Sequence, residues 1–289
     1  MTSDRTAIID HASGLHPLLP VLIHAAWTGE QYIHYWYTRD ASVTAKSHHA
    51  DLSTEADLAA ESAICTYLNL HADSYLLVTE EAKERADYQQ SDRLITVDPL
   101  DGTGAYAMRC GPQYPSTALA AWQDGHVACG VIIFPLSDEC YYFAAGRGAW
   151  CQTGKVTATP CSPLSASWVD INRYGDTTFE TPIMARLDKA LRMPGVARLV
   201  TNLPTHSGVA CRIAHNEIGI SAALHDNDPD NIKQDIWDVL PAQGLITEAG
   251  GAYLNLLTGR TYDPWNPGPI VVAADPLLAG EIVAIANAE

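Results

Sequence analysis

Basic residues are scarce in this chain of 289 residues. Lysine and arginine together number 17, against 34 aspartates and glutamates, and the formal net charge is −17. Proteins that bind nucleic acid or anionic membranes need patches of lysine and arginine, so both classes of partner are disfavoured. An acidic protein that binds an anionic substrate needs a positive electrostatic potential at its binding site, and bound metal ions can supply it.

Signals for export, membrane insertion and zinc binding are also missing. No apolar run reaches the roughly 18 residues of a membrane span. The N-terminal stretch has no basic region and no small-residue cleavage site, so we expect no secretory signal. The seven cysteines are scattered without a Cys-x-x-Cys pair, which disfavours zinc and predicts reduced thiols in a cytoplasmic protein. With 47% hydrophobic and 18% charged residues, the chain is globular.

The most informative segment is the hexapeptide Asp98–Thr103 (DPLDGT), which follows the apolar run Leu94–Val97. Two aspartates three residues apart, around a turn fixed by Pro99, can direct their oxygens into one small volume. Hard cations such as Mg²⁺ bind several oxygen ligands and usually combine carboxylates with substrate phosphate. On its own, the hexapeptide is equally typical of an ordinary turn between a strand and a helix.

Apolar periodicity predicts helices and an antiparallel sheet in the first half. A helix is expected over residues 14–36, starting near Pro20, and a second begins near Thr54 and Asp57, which match a capping box. Hairpin turns are expected at Asp124-Gly125 and at Ser137-Asp138. Strands are expected at Ser74–Thr79, Arg93–Val97, Thr117–Trp122, Val127–Phe134 and Cys140–Ala145.

The second half follows a stretch rich in Pro, Ser and Thr, Thr157–Ser167, which is the best candidate for a boundary. We therefore expect an N-terminal α+β domain over residues 1–162 and a C-terminal α/β domain over residues 163–289. A helix is expected to start at Asp238, with Pro241 in its first turn, and to end at Gly250-Gly251. The other elements expected are strands at Trp168–Ile171 and Ala197–Thr201 and a helix at Gly208–Glu217.

Several separated motifs occur together in one order and resemble the inositol monophosphatase superfamily. This superfamily comprises Mg²⁺-dependent phosphatases of the lithium-sensitive type, including bisphosphate nucleotidases and relatives of fructose-bisphosphatase. The resemblance covers about residues 40 to 275. Its motifs are Lys46–Asp57, Glu80-Glu81, DPLDGT, Gly146–Trp150, Trp237-Asp238 and Glu248–Gly251.

The resemblance implies a fold, an activity and a metal site. The fold would be a layered α/β/α/β/α sandwich of the inositol monophosphatase type, whose N-terminal domain carries most of the metal ligands. The activity would be Mg²⁺-dependent phosphomonoester hydrolysis with two or three ions in each site. Unrelieved, four clustered carboxylates would raise each other's pKa, and bound cations would nearly neutralise them. The metal ligands implied are Glu80, Asp98, the backbone carbonyl of Leu100, Asp101 and Asp238.

The catalytic residues implied are Asp57, Thr103 and Glu80. Thr103 with Asp57 would orient and deprotonate the attacking water, because a threonine hydroxyl alone is a poor base. A plain helix-cap role is the alternative for Asp57, and Glu81 is expected to be an exposed helper carboxylate. The backbone N–H groups of Gly102 and Thr103 suit a phosphate. The substrate-binding residues expected are Asp101, Gly102, Thr103, Gly208 and Asp238.

The sequence leaves the substrate open. The leading candidate substrate is a small phosphorylated polyol or sugar, and the alternatives are a 3′(2′),5′-bisphosphate nucleotide and histidinol phosphate. A catalytically inactive regulatory relative is disfavoured, because the set of acidic residues is intact. No residue between Gly208 and Asp238 clearly matches the glutamate with which inositol monophosphatases bind inositol. Arg109 and Arg212 could meet a second phosphate, although surface or salt-bridged arginines are the plainer interpretation.

The remaining expectations concern partners and peripheral residues. We expect a small phosphorylated metabolite as partner, no nucleic acid, no membrane, a homodimer and a cytoplasmic location. Lys46 is either a solvated lysine or an outer positive charge of the site. His48, His49 and His225 are expected to be solvated loop residues.

Overall fold

The computed structural model describes residues 2–39, 43–45, 52–81, 88, 91–159, 163–172, 181–201, 203–216, 219–227 and 235–288. The helices are α1 (Thr2–Leu15), α2 (Leu19–Tyr37), α3 (Glu55–His71), α4 (Thr103–Ala107), α5 (Pro182–Leu191), α6 (Ser207–His215), α7 (Ile236–Glu248) and α8 (Pro276–Ala286). The strands are β1 (Val43–Ala45), β2 (Leu52–Thr54), β3 (Leu76–Thr79), β4 (Arg93–Asp101), β5 (Ser116–Gln123), β6 (His126–Phe134), β7 (Glu139–Ala144), β8 (Gly148–Cys151), β9 (Gly154–Val156), β10 (Trp168–Asn172), β11 (Arg198–Thr201), β12 (Ile220–His225), β13 (Ala252–Asn255) and β14 (Ile270–Ala273).

The first large sheet has the strand order β3-β4-β5-β6-β7-β8-β9. Strands β3 and β4 are parallel, and every later pair is antiparallel. The predicted hairpins are confirmed, because β5 pairs with β6 and β6 pairs with β7. Asp124 and Gly125 both have positive φ, 52° and 82°, as the tight two-residue turn between β5 and β6 requires.

The second large sheet has the order β11-β10-β12-β14-β13. Strand β10 runs parallel to both β11 and β12, whereas β12 and β13 run antiparallel to β14. The carboxyl ends of β10, β11 and β12 therefore lie at one edge. Parallel strands commonly present functional residues at such an edge.

The helices and sheets alternate in layers, so the predicted α/β/α/β/α sandwich is confirmed. Apolar residues of α2 and α3 pack on one face of the seven-stranded sheet, against Ile95 and Val97. Helices α6 and α7 fill the space between the two sheets. Helices α5 and α8 cover the outer face of the five-stranded sheet. A site built from β4, α6 and α7 thus lies between the sheets.

The division into two domains at residue 162 stays a prediction. The seven-stranded sheet ends at Val156 and the five-stranded sheet begins at Trp168, so the sheets separate at the predicted boundary. One hydrophobic cluster nevertheless draws on both sheets, joining Phe143 of β7 to Val272 of β14.

One helix was not predicted, and the start of another needs correction. Helix α1 was not expected, because its apolar residues are too few to give a clear helical period. It is nevertheless tied to α2 by a 2.8 Å ion pair between Arg5 and Glu30. Helix α7 starts at Ile236, two residues before the predicted Asp238, since Asp235 and Asp238 together form its capping box. Pro241 consequently lies inside the helix and not in its first turn.

Among the described residues, no helix has the length and apolarity that crossing a bilayer requires.

Candidate active site

A bulge in β4 directs Asp98 and Asp101 to the same side of the sheet. In a regular strand, residues three apart point to opposite faces. Here Asp98 pairs with Ala118 and Asp101 with Ser116, so two residues of β4 face a single residue of β5. Pro99 lies in this bulge, where its missing N–H interrupts no ladder bond. The hexapeptide was expected to turn at Pro99, but β4 continues through Asp101.

Gly102 makes the turn that follows and begins α4. Its φ is +87°, a left-handed conformation in which a side chain is strained. A Cβ atom at this position would lie 2.6 Å from Thr205 Cγ2 and 3.0 Å from the carbonyl oxygen of Pro204. Glycine therefore lets the DPLDGT segment approach the chain that leads into α6.

The start of α6 binds the carboxylate of Asp101. The backbone N–H groups of His206, Ser207 and Gly208 donate to Asp101 oxygens at 3.0, 2.8 and 3.3 Å. The Ser116 hydroxyl donates a further bond at 3.1 Å. Because unpaired N–H groups at a helix start favour a negative charge, this contact fixes Asp101 and joins the two halves of the chain. Gly208 is one of the residues predicted to bind substrate, and its N–H already donates to Asp101.

Asp238 completes the group of aspartates from the second half of the chain. Its Oδ2 accepts the backbone N–H of Asp235 at 2.9 Å, which closes the capping box of α7. One carboxylate oxygen from each of Asp98, Asp101 and Asp238 lies within 4.8 Å of the others. The remaining predicted carboxylate, Glu80, follows β3 and interacts with Asp98.

The electrostatics of this cluster are unfavourable without a cation. Burial raises the pKa of Asp98 well above the usual aspartate range, and the charges of nearby carboxylates, Glu80 first, raise it further. Burial likewise raises the pKa of Asp238, with further contributions from Asp101 and Glu80. Like charges at such distances disfavour joint ionisation. The buried, oxygen-only donor set therefore fits a hard divalent cation.

Asp57 links the start of α3 to Thr103. Its Oδ2 accepts the N–H and hydroxyl of Thr54 at 2.8 and 2.6 Å, and its Oδ1 accepts the Thr103 hydroxyl at 2.8 Å. The predicted capping box is confirmed, so Asp57 caps a helix and also contacts Thr103. Burial raises the pKa of Asp57 to about 6, against the lowering effect of these hydrogen bonds.

Two further motifs meet away from the aspartates. The carboxylate of Glu248, at the end of α7, accepts the N–H of Gly146 and of Gly148, each at 2.8 Å. Both glycines have positive φ, so their turn presents two N–H groups to one side chain. Glu248 thereby anchors α7, which carries Asp238, to the turn between β7 and β8.

A family model, that of the inositol monophosphatase family, matches residues 15–288. The chain belongs to the inositol monophosphatase family. Members of this family are phosphoric monoester hydrolases, and the chain is an enzyme of this class. Inositol monophosphatase 1 of Bos taurus is 25% identical over 234 residues, which span 78% of each protein.

Solved structures agree with this family assignment in fold. The extragenic suppressor protein suhB from Bartonella henselae matches with a TM-score of 0.80 and 18% identity, over 94% of this chain and 99% of that chain. An IMPase/NADP phosphatase complexed with Mg²⁺ and phosphate matches with a TM-score of 0.72 and 17% identity, over 90% and 91% of the two chains. The inositol monophosphatase fold is therefore shared.

Among the flanking residues, His225 and Glu81 depart from their sequence-based descriptions, whereas the salt-bridged interpretation of Arg212 is confirmed. His225 was expected to be solvated and is buried, at 1% exposure, because it ends a strand that faces the interior. Glu81 is half-buried and not exposed, since the Ser53 hydroxyl donates to it at 3.0 Å. Arg212 is salt-bridged to Glu139 at 2.6 Å. Lys46, His48 and His49 lie outside the described residues.

Sequence reasoning missed several residues that shape the site. Ser116 and His206 both donate to Asp101. His206 does so through its backbone, so its side chain carries no sequence signal for the contact. The bulge in β4 could have been inferred from two aspartates three apart within one strand, since only an irregularity brings both to one face.

Proposed function

We propose that this family member is a Mg²⁺-dependent phosphomonoesterase that hydrolyses a small phosphorylated polyol or sugar through metal-activated water attack. The observation that carries the proposal is the cluster of Asp98, Asp101 and Asp238, with ligand atoms within 4.8 Å of one another. Such oxygen donors suit Mg²⁺ together with a substrate phosphate. The related IMPase/NADP phosphatase, complexed with Mg²⁺ and phosphate, supports the same choice of ion.

The proposed metal ligands are those that the sequence predicts, and two or three Mg²⁺ ions are expected in the site. When bound, the ions neutralise the carboxylates and stabilise charge on the phosphoryl and water oxygens. Leu100 would contribute its backbone carbonyl, whose oxygen lies 3.0 Å from the Thr103 hydroxyl and is a second possible acceptor of the single hydroxyl hydrogen that Asp57 also faces. The set comprises Glu80, Asp98, Leu100, Asp101 and Asp238.

Thr103 and Asp57 are proposed to handle the proton of the attacking water. When the Thr103 hydroxyl donates to Asp57, at 2.8 Å, the lone pairs of its oxygen remain available to accept a hydrogen bond from water. The proton of the water can then pass through Thr103 to Asp57. A pKa of about 6 leaves Asp57 ionised at neutral pH and still a better base than an ordinary aspartate. Glu80 is the third proposed catalytic residue, on the Asp98 side of the site.

The phosphate is proposed to lie among Asp101, Gly102, Thr103 and Asp238, with the N–H groups of Gly102 and Thr103 as donors. Gly208 remains a proposed contact of the substrate, although its N–H already donates to Asp101. A Cβ atom there would clash with the hydroxyl of Thr205. Gly208 therefore serves close packing beside the site as well.

Two other substrate classes remain as alternatives. For a 3′(2′),5′-bisphosphate nucleotide, the second phosphate would need a cation, and Arg212 is paired with Glu139. Arg109 lines a cavity of about 70 Å³ with Arg39 and Thr54. Histidinol phosphate is the other alternative, and an inactive regulatory relative is the remote one.

A panel of phosphate esters tests the proposal. Phosphate release would be measured with Mg²⁺ and with EDTA on inositol 1-phosphate, fructose 1,6-bisphosphate, 3′-phosphoadenosine 5′-phosphate and histidinol phosphate. We expect Mg²⁺-dependent release, fastest from the inositol ester. Release that persists in EDTA would refute the metal mechanism, and no release from any ester would favour the regulatory relative.

A homodimer is proposed on the family resemblance, and a cytoplasmic location on the scattered cysteines without a Cys-x-x-Cys pair. Light scattering of the purified protein checks the first, and fractionation of the native cells checks the second. A monomeric mass across micromolar concentrations would contradict the dimer.

A further inference from the structure

Arg212 of α6 is a mostly buried arginine that contacts three other parts of the chain. Its Nη1 and Nη2 donate to the two carboxylate oxygens of Glu139, at the start of β7, at 2.6 and 3.0 Å. Its Nη2 also lies 3.4 Å from the carbonyl oxygen of Gln113, in the segment between α4 and β5. Its Cζ lies 4.1 Å from the ring centre of Phe134, at the end of β6. Only 9% of the Arg212 side chain is exposed.

The ion pair of Arg212 and Glu139 is a rigid connection between α6 and the first sheet. Burial alone would raise the pKa of Glu139, but the hydrogen bonds from Arg212 and Ser137 and the charge of Arg212 lower it. Both partners are therefore charged at neutral pH, since a guanidinium stays protonated in proteins. A bidentate pair of this kind fixes the orientation of its partners as well as their distance.

The contact continues along α6 towards the start of the helix. Gly208 lies four residues before Arg212 and so on the same face of the helix. A Cβ atom at Gly208 would lie 3.2 Å from Phe134 Cε1 and 3.3 Å from the carbonyl oxygen of Tyr114. Gly208 and Arg212 therefore pack on the same ring and on the same segment before β5.

The parts that Arg212 joins supply the hydrogen-bond donors of Asp101. The backbone N–H groups of residues 206–208, at the start of α6, donate to its carboxylate. The segment that Arg212 contacts before β5 leads into Ser116, whose hydroxyl donates as well. Asp101 itself lies on β4 of the first sheet. A displacement of α6 from this sheet would therefore draw the N–H donors away from Asp101.

We propose that Arg212 is a positioning residue for the metal site: by holding α6 against Glu139 and Phe134, it keeps the donors of α6 aligned on Asp101. Its effect on Mg²⁺ rests on the proposed function, whereas the alignment of the donors is a property of the metal-free protein. Arg212 acts through α6 and takes no part in the chemical step.

Amide hydrogen exchange in EDTA tests the alignment. The first N–H groups of a helix have no acceptor within the helix, so exchange at residues 206–208 depends on their bonds to Asp101. The test variant combines Arg212→Met with Glu139→Gln, which leaves neither charge buried without its partner. We expect residues 206–208 to exchange at least about tenfold faster than in wild type through local opening. The amide of Val131, inside the first sheet, should be accelerated far less.

Wild-type exchange at residues 206–208 in the double variant would overturn the proposal. Equal acceleration at these residues and at Val131 would also overturn it, because the ion pair would then serve general stability alone. Arg212→Lys keeps the charge but cannot form two parallel hydrogen bonds, so it should accelerate the same amides to a smaller extent. If the double variant does not fold, Arg212→Lys decides, and unchanged exchange at residues 206–208 would overturn the proposal.

Arg192→Met is the matched control. Arg192 Nη2 lies 2.8 Å from Asp188 Oδ1, and this pair belongs to α5 on the outer face of the second sheet. Loss of this ion pair should leave the exchange of residues 206–208 unchanged. Acceleration equal to that of the Arg212 variants would mean that the effect is not specific to α6.

Calorimetric titration with Mg²⁺ tests the consequence for the metal site. The double variant should bind Mg²⁺ about tenfold more weakly than wild type, as disturbed hydrogen bonds to a metal ligand imply. Its kcat at saturating Mg²⁺ should change little, because every proposed ligand is retained. Wild-type Mg²⁺ affinity in the double variant would overturn the positioning role. If wild type binds no Mg²⁺, the proposed function fails, and the exchange experiment still decides whether Arg212 aligns the donors.

Discussion

At the scale of single residues, Asp98 and Asp101 have different surroundings despite being three residues apart. Asp101 accepts three backbone N–H groups and a serine hydroxyl. Burial raises the pKa of Asp101, and these hydrogen bonds offset part of that rise. Asp98 accepts the N–H of Leu100 at 3.0 Å and otherwise faces carboxylates. Substitution by asparagine should therefore separate their structural roles while removing ligand charge from both.

We expect Asp98→Asn and Asp101→Asn each to abolish turnover but only Asp101→Asn to lower stability. In EDTA, Asp98→Asn should unfold at the same or a higher urea concentration than wild type, because it relieves repulsion. Asp101→Asn should lose about 2 kcal/mol, since an amide accepts fewer of these hydrogen bonds. Urea unfolding and phosphate release measure both effects. Near-normal Mg²⁺-dependent turnover in both variants would show that the site is assigned wrongly.

Thr103 and Asp57 are expected to act as one unit. Thr103→Ala and Asp57→Asn should each lower kcat by about 10²–10⁴-fold, the usual scale for positioned acid–base groups. The double variant should lose little more, because members of one unit are non-additive. Steady-state kinetics at saturating Mg²⁺ measure this. Additive losses, or an ordinary kcat in Thr103→Ala, would leave Asp57 with its helix-cap role alone.

The raised pKa of Asp57 predicts a pH dependence of stability in metal-free protein. The pKa of Asp57 is about 6 in the folded state and near 3.8 in the unfolded state, so the folded state binds the proton more tightly. This stabilisation is present below pH 4 and is lost as the pH rises through 6. It amounts to about 3 kcal/mol at most. The unfolding free energy of wild type should thus fall relative to Asp57→Asn between pH 4.5 and 7. If the unfolding free energies of the two proteins vary with pH in the same way, the raised pKa of Asp57 is contradicted.

At the scale of elements, the approach of β4 and α4 to the start of α6 depends on one glycine. Gly102→Ala should destabilise the fold by about 1–3 kcal/mol, because alanine is strained at φ +87° and its Cβ would meet Thr205 and Pro204. Thermal unfolding measures the loss.

Gly104→Ala is the matched control for that substitution. Gly104 lies within α4, and a Cβ atom there would find Leu52 Cδ1 at 4.0 Å, an ordinary contact. Alanine is the better helix former, so this variant should be as stable as wild type or up to about 1 kcal/mol more stable. Equal destabilisation by both substitutions would mean that the close approach at Gly102 is not the cause.

The limits of sequence reasoning are clearest in these elements. Strands β3 to β7 of the first sheet, the two hairpins and the capping box at Thr54 follow from alternation and turn residues, which are local signals, whereas β8 and β9 were not predicted. The bulge at Pro99 and the early start of α7 depend on pairing with Ser116 and on the Asp235 cap, which a period count does not capture. Helix α1 escaped prediction because its pattern is weak on its own, and the Arg5–Glu30 pair that ties it to α2 spans distant residues.

At the scale of the whole molecule, the candidate site depends on contacts between halves of the chain that are far apart in sequence. The order of the motifs indicates the family and therefore its layered fold. It also identifies the aspartates that lie together in the structure. It does not reveal that α6 binds Asp101 or that His206 and His225 lie together beside it. Those contacts arise from backbone groups and from the packing of two sheets, and neither produces a periodic pattern in the sequence.

The central claim is that aspartates from both halves hold Mg²⁺ for phosphate ester hydrolysis. It is tested most directly by titrating Mg²⁺ into EDTA-treated protein while phosphate release from inositol 1-phosphate is followed. Asp235→Asn is the control, because it removes a neighbouring charge and keeps a good helix cap. We predict that wild type and Asp235→Asn gain activity with Mg²⁺, whereas Asp98→Asn and Asp238→Asn stay inactive at any concentration. Wild-type release without Mg²⁺, or full activity of Asp98→Asn and Asp238→Asn, would contradict the account.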